Sequence, residues 1–409
     1  MLEIDLPCAQ QFVINQQMLL SEESSQSILE VIKRIHNVQI DTISVVARSH
    51  DLILYNRCNN YQTKEVWEYL KKGKLFEYWS HAACLLPIEE YPFYVWKMNY
   101  RKNNLRPRWK KWVIENQSII DRIYNHVENN GATCSADFKN ESSKAGVWWS
   151  WKEEKTALEY LFNIGKLAIA YRENFQKYYD LTERVIPSNI DTKPMNEEEL
   201  PYYLVKTIFT ALGIGNYKDF RTYVGSGVTS YLWNNRKKAI ENFFDKCINE
   251  DLLVEIKIKG TPGRHFALAE NQEKILQDLK PNTKKSMKFL SPFDNLIRER
   301  NYPKRLWNFD YKLEAYVPKN ERIYGYYVLP ILDKHEFIGR TNIKTHRKEH
   351  HLEIKGLFFE EKIDIDDERI TRLTIAIKDF ARFHHCESIS INKIKPQKLN
   401  QKIESQINI

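Results

Sequence analysis

The sequence predicts an α+β protein: tandem winged-helix domains, a variant of helix-turn-helix, followed by a C-terminal antiparallel β-rich domain. Two observations predict it. A plan of helices and then a two-stranded ribbon recurs three times along the first part of the chain. Beyond the polar, basic stretch Pro281-Asn282-Thr283-Lys284-Lys285-Ser286, the pattern changes to a series of strand-like segments.

The middle copy is the clearest. From Ile114 to Asn129 the apolar residues Ile119, Ile120, Ile123, Tyr124 and Val127 fall at helical spacing, and Asn130-Gly131 supplies a stop. Ser135 can cap a short helix over Ala136-Asp137-Phe138. Trp151 to Asn163 predicts another helix, with Ala157, Leu158, Leu161 and Phe162 inward and Gly165 at its end. Leu167–Tyr171, a turn at Arg172-Glu173-Asn174, and Tyr178–Leu181 then make a hairpin. The third copy starts at Glu197-Glu198-Glu199, runs through Ile208, Leu212 and Ile214, and continues as a long helix from Tyr231 to Ile248. Its wing is Leu252–Ile258 and His265–Leu268. The first copy is less regular: helices near Gln10–Leu20, Ser25–Ile35 and Lys64–Lys72, with an extended segment around Gln39. Winged helices also serve as protein-protein modules, so the repeats alone do not establish DNA binding.

In the last part, Leu313–Val317, Tyr324–Leu332, Phe337–His346 and Leu352–Phe359 read as strands, with a turn at Lys348-Glu349-His350 and a closing helix from Asp367 to Phe383. Domains are therefore expected at 1–112, 113–195, 196–283 and 284–409.

The composition bounds the partners. Hydrophobic residues make up 42% and charged residues 28% of 409, an ordinary globular balance with room for two to four domains. No apolar run approaches the roughly 18–20 residues that cross a bilayer, and the acidic start Met1-Leu2-Glu3-Ile4-Asp5 lacks a signal-peptide core. A cytoplasmic protein without membrane contact is expected. Cys8, Cys58, Cys84, Cys134, Cys247 and Cys386 are scattered, as in a reducing compartment, with no CxxC pair. The net charge of +8 permits a polyanionic partner without requiring one.

Its distribution says more. Lys97, Arg101, Lys102, Arg106, Arg108, Lys110 and Lys111 fall in one acid-free run, interleaved with Trp96, Tyr100, Trp109 and Trp112. Cations of this kind neutralise phosphates while aromatics stack or wedge against bases. The alternative is a solvated connector whose aromatics pack on a neighbour.

One segment points to chemistry. Val38-Gln39-Ile40-Asp41-Thr42-Ile43-Ser44-Val45-Val46 is rich in β-branched residues and reads as extended. In an extended chain, Gln39 and Asp41 project to the same side. A carboxylate can accept a proton from water or face a developing cation, and an amide can hold that same water. The alternative is an edge strand with a solvated polar side. Arg48 and Arg57 bracket the end of this segment and can clamp phosphates, or be ordinary surface arginines.

Other candidates are weaker. His346, His350 and His351 straddle a turn, and no fourth metal ligand accompanies them. His81, beside Tyr78 and Trp79, reads as a structural histidine in a helix. Gly213, Gly215, Gly225 and Gly227 have no phosphate-cradle spacing.

Gln39-Ile40-Asp41, with Thr42, Ile43, Val45, Ala47-Arg48-Ser49 and Leu52, resembles the Gln-aliphatic-Asp region of the YcaQ-like crosslink-repair DNA glycosylases. AlkZ-type relatives carry Gln-aliphatic-Gln instead. Collinear similarities follow at Glu77–Cys84, Ser135–Phe138, Gly146–Lys152, Arg172–Gln176, Tyr179–Val185, Leu290–Asp294 and Tyr324–Pro330. The resemblance implies a monofunctional glycosylase acting on cationic N7-alkylated purines and on DNA interstrand crosslinks. It implies that Asp41 activates water, Gln39 positions it, and no metal or organic cofactor takes part. The DNA-contacting residues would include Arg48, Arg57, Arg101, Lys102, Arg106, Arg108, Lys110 and Lys111. The implied partner is double-stranded DNA carrying such lesions, met by a monomer at the nucleoid. Two rivals are a non-catalytic tandem winged-helix regulator or architectural protein, and a protein-interaction scaffold. Neither would need Gln39 beside Asp41.

Overall fold

A computed structural model describes residues 1–20, 27–138, 150–277 and 287–407. The stretches 146–149 and 281–286 singled out above lie outside the described residues. The chain forms two compact units. One is Met1–Tyr61 together with Tyr203–Ile409; the other is Gln62–Tyr202.

The first unit opens with β1 (Leu2–Ile4), α1 (Leu6–Gln16), α2 (Ile28–Ile35), β2 (Val38–Gln39) and α3 (Ser49–Tyr55). α1 starts where Asp5 accepts the Cys8 N–H, with a proline in the first turn. α2 begins with a capping box between Ser27 and Glu30 and buries Ile28, Val31, Ile32 and Ile35 on one face. The extended segment is much shorter than expected: only Val38 and Gln39 are strand, and residues 41–47 turn without regular structure. Asp41 Oδ1 accepts the Ile43 N–H at 2.8 Å, a local turn that competes with a ladder. The helix α3 is an addition to the sequence reading.

The second unit contains α4 (Glu65–Lys71), the hairpin β3–β4 (Leu75–Trp79, Ala83–Pro87), α5 (Tyr91–Asn103), α6 (Pro107–Glu115), α7 (Gln117–Asn130) and the short β5 (Thr133–Cys134). A helix at Ser150–Asn163 and the hairpin β6–β7 (Leu167–Glu173, Gln176–Leu181) follow. Gly131, at φ +78°, ends α7 as expected. Residues 135–138 form a turn, not the short helix anticipated, with Asp137 accepting the Cys134 N–H. Asn174 and Phe175 both take positive φ, the geometry a two-residue hairpin needs to match strand twist.

The chain returns through helices Leu200–Leu212, Tyr217–Val224, Ser226–Trp233 and Lys237–Asn249. The long helix expected from Tyr231 is broken because Asn234 and Asn235 adopt left-handed φ of 50° and 55°. β8 (Leu253–Ile258) and β9 (His265–Leu268) form the anticipated ribbon, and β1 adds to it in parallel, Leu2 opposite Ile256. A curled sheet follows in the order β10 (Met287–Phe289), β11 (Val328–Asp333), β12 (Glu336–His346), β13 (His351–Phe359) and β14 (Ser388–Ile391), with β15 (Ile394–Lys395) also on β13. Pairing is antiparallel through β13; β14 and β15 are parallel to it, reached over the helix Asp367–Phe383. The helix buries Ile370, Leu373, Ile377 and Phe380. Leu313–Val317 is not a strand: Glu314–Tyr316 is a single 3₁₀ turn. The carboxylate of Glu314 binds the N–H groups of Ile323, Tyr324 and Gly325 there.

This sheet positions the Gln39 segment. Val46, Ala47 and Leu52 share one buried cluster with Phe289, Tyr327, Leu329 and Ile343.

Candidate active site

The segment that carries Gln39 is bracketed by residues far along the chain. Asn295 Nδ2 donates to the carbonyls of Ile35 at 2.6 Å and Asn37 at 3.1 Å, just ahead of β2. Ser291 Oγ lies 3.3 Å from Ser49 Oγ and 3.4 Å from the Tyr327 hydroxyl, and none of the three residues is exposed. The Leu290 N–H donates to Pro330 at 2.9 Å. Two stretches noted for their resemblance, Leu290–Asp294 and Tyr324–Pro330, thus meet around the third.

Gln39 is buried and Asp41 half-buried, where the strand gives way to the turn. Ile40 between them is buried, as an anchor should be. The bond from Ile43 fixes the Asp41 carboxylate through Oδ1, and Oδ2 accepts no hydrogen bond from the described residues. Tyr327 lies close enough to feel that charge: burial, and then Asp41, push its hydroxyl above the usual tyrosine range, so it stays protonated.

The turn after Asp41 is held from outside. Arg347, at the end of β12, donates to Ser44 Oγ at 3.0 Å, to Val46 O at 2.7 Å and more loosely to Ser44 O. The Thr345 N–H donates to Val45 O at 3.3 Å.

A second acid escaped the sequence reading. Asp51 on α3 accepts from the Tyr61 hydroxyl at 2.9 Å and lies 3.6 Å from His50 Nε2. Burial pushes its carboxyl up to about 6, against the opposing pull of Tyr61, Arg48 and Arg347. The signal was an acid inside the apolar stretch Ser49-His50-Asp51-Leu52-Ile53-Leu54. Arg48 is half-buried at the start of α3.

Arg57 corrects the sequence reading. Its side chain is fully buried and makes a two-pronged pair with Asp294 at 2.6 and 2.9 Å, with further bonds to the carbonyls of Gln17 and Ile53. It faces the interior and cannot clamp a phosphate. It ties α3 to the Leu290–Asp294 stretch.

In the second unit the basic-aromatic run divides. Lys97 is half-buried, its amine turned inward to donate to the carbonyls of Trp79 at 2.9 Å and Ser80 at 3.1 Å. Burial, with Arg101 nearby, brings its amine down to about 7. Arg101 is half-buried over the Tyr78 ring and donates to the Tyr78 hydroxyl at 3.2 Å. Lys102, Arg106, Arg108, Lys110 and Lys111 are exposed. Trp96 is buried and stacked on Tyr100, whereas Trp109 is 38% exposed.

The histidines also resolve. His81 sits exposed in the β3–β4 turn rather than in a helix. His346 pairs with Glu353 at 2.8 Å, and His351 lies 2.8 Å from the hydroxyls of both Ser388 and Ser390. Among the described residues no group of three or more His, Cys, Asp or Glu could hold a metal ion. Nor is any described helix long and apolar enough to cross a membrane.

The fold is one used by DNA glycosylases. It matches the Streptomyces sahachiroi DNA glycosylase AlkZ with a TM-score of 0.65 at 15% identity, covering 96% of this chain and 100% of that one. The sequence carries the more particular assignment: the family described as DNA glycosylase AlkZ-like matches residues 32–383, and the chain belongs to that family. It is a DNA glycosylase, so the regulator and scaffold readings give way.

Proposed function

We propose that this glycosylase hydrolyses the N-glycosidic bond of cationic N7-alkylated purines and unhooks interstrand crosslinks formed through them, as the YcaQ-like branch does. The observation that carries the reading is Asp41: a half-buried carboxylate, oriented by the Ile43 N–H through one oxygen and open at the other. AlkZ-type relatives have an amide at that place.

The chemistry fits a carboxylate. An N7-alkylated guanine already carries positive charge and leaves readily. Cleavage develops an oxocarbenium-like sugar. The enzyme then needs an anion near that sugar and an oriented water more than an acid for the base. Asp41 takes the proton from water and stabilises the cation; Gln39 holds the water. No metal or organic cofactor has a step in this scheme.

The repeated helix-and-ribbon plan supports reading 1–112, 113–195 and 196–283 as winged-helix domains, with 284–409 as the β-rich domain. Lys102, Arg106, Arg108, Lys110 and Lys111, with Arg48 and the half-buried Arg101, are proposed to meet duplex phosphates. A tied, crosslinked base cannot swing into a deep pocket, and an open groove suits it better. A monomer bound at the nucleoid is the proposed working state.

The test is single-turnover excision from duplex carrying N7-methylguanine, read by alkaline cleavage at the abasic site. Asp41→Asn should lower the rate by on the order of a hundredfold or more, about 2.7 kcal/mol of transition-state stabilisation. A variant with near wild-type rate would sink the role given to Asp41. Neutral lesions such as uracil or 8-oxoguanine should resist, and borohydride should trap no covalent complex. Efficient removal of a neutral base would reveal a proton donor outside this scheme.

A further inference from the structure

We infer that Arg347 is a positioning residue for glycosidic cleavage, acting through the turn that orients Asp41. The inference rests on the reading of Asp41 as the water-activating carboxylate.

The turn of residues 41–47 has no ladder or helix to hold it. Asp41 is aimed by a single bond from the Ile43 N–H, so its direction is only as fixed as that backbone. The next three carbonyls are all taken by the end of β12. Arg347 binds those of Ser44 and Val46, and the Thr345 N–H binds that of Val45. The Ser44 hydroxyl accepts from the same guanidinium nitrogen, at 3.0 Å. The Arg347 partners are 301 to 303 residues away in sequence, so the clamp is a product of the fold and not of the local chain.

The side-chain type matters. Nη2 donates to Ser44 Oγ, Ser44 O and Val46 O while Nη1 reaches Ser44 O at 3.4 Å, so the planar guanidinium holds the turn with two nitrogens at a fixed separation; an ammonium offers one nitrogen with freely turning donors. Arg347 is exposed, so the alternative is that its charge meets a DNA phosphate. Arg347→Lys separates the two roles, because it keeps the charge and loses the paired nitrogens.

The experiment compares wild type, Arg347→Lys, Arg347→Ala, Asp41→Asn and the Asp41→Asn/Arg347→Ala double variant of the full chain. Single-turnover excision of N7-methylguanine, duplex affinity across a salt series and thermal midpoint are measured for each. Misplacing a reacting group by about 1 Å costs up to roughly a hundredfold in rate. Both Arg347 variants should therefore slow excision by about ten- to a hundredfold at a temperature where they are folded. Arg347→Lys should keep wild-type affinity and salt slope. The double variant should be no slower than Asp41→Asn, because Arg347 acts only through that carboxylate. Wild-type excision by Arg347→Lys would overturn the inference in favour of a phosphate contact. A rate lost only in proportion to the unfolded fraction would overturn it in favour of a stability role. A double variant slower than Asp41→Asn would show Arg347 acting elsewhere. If Asp41→Asn is inactive while Arg347→Lys is normal, this inference alone falls. If Asp41→Asn itself keeps wild-type excision, the reading of Asp41 falls and takes this inference with it.

Discussion

The turn that carries Asp41 and the α5–α6 arm are both rich in polar side chains, yet they hold them in opposite ways. Around Asp41 most of these groups are fixed. Arg57 is locked on Asp294, the Arg347 guanidinium is bonded to Ser44 and Val46, and Asp51 accepts from the Tyr61 hydroxyl. On the arm, only the first two cations are fixed. Lys97 and Arg101, four residues apart on one face, fold onto the β3–β4 hairpin, while the five that follow stand in solvent. A site that must meet a developing charge gains from dipoles and charges that are already in place. A surface that must meet a phosphate backbone gains from mobile cations that release counterions. The density of charged residues along the chain does not distinguish these two uses.

The largest break in this comparison comes from Arg57. Arg57→Met leaves the Asp294 carboxylate buried without its counter-charge, at a cost of about 3–5 kcal/mol. Lys102→Ala on the arm should cost within about 0.5 kcal/mol. Denaturant unfolding of the two variants side by side checks the contrast; equal stabilities would mean that the Arg57 pair is not the fixed element described.

Binding sharpens it next. Replacing Lys102, Arg106, Arg108, Lys110 and Lys111 by Ala should weaken lesioned and undamaged duplex alike. The slope of log affinity against log salt should flatten by about 0.9 for each phosphate left without its cation. Lys97→Met should leave the slope unchanged, because its amine is held inside. An unchanged slope in the fivefold variant would assign the arm to something other than DNA.

The smallest effect is a pH dependence at Asp51. Its folded value of about 6 lies above the ordinary 3.8, so the native state keeps a proton that the unfolded chain has released. That contribution is complete below 3.8 and is lost as pH rises through about 6. Asp51→Asn removes the loss, so its advantage in thermal midpoint over wild type should grow from pH 4 to pH 7. The gain should be about 1–2 kcal/mol, under the ceiling of about 3 that the shift sets. An advantage that is the same at both pH values would show that the carboxyl is not held against its burial.

The fold was legible wherever local signals agreed. α2 declares itself by its capping box and apolar face, and the helix Asp367–Phe383 matches its predicted ends. The ribbons β6–β7 and β8–β9 were visible as β-rich runs around turn residues. The turn at 41–47 was not, because Ile43, Val45 and Val46 have strand propensity and the forces against it are an Asp41 bond and a clamp from Arg347. The break at Asn234-Asn235 was hidden by good helix formers on both sides. At the candidate site, the chain itself proposes Gln39 and Asp41, but Arg48, Arg57 and Lys97 look alike in sequence. Their surroundings in the fold tell them apart: Arg57 is sealed on Asp294, and Lys97 turns inward onto the carbonyls of Trp79 and Ser80.

The brackets around Gln39 also order events in time. Asn37 is separated from Asn295 by 258 residues, and Arg57 from Asp294 by 237. On a ribosome adding about 5–20 residues per second, these partners emerge on the order of 10–50 s apart. The residues Gln62–Tyr202 have all of their own unit available well before then, whereas the first unit must wait for its second half. Until that half arrives, Arg57 has no Asp294 and the Asp41 turn has no Arg347. A chain that stops before residue 294 therefore carries the whole Gln-aliphatic-Asp motif without the contacts from Asp294, Asn295 and Arg347 that hold the surrounding segment in the fold.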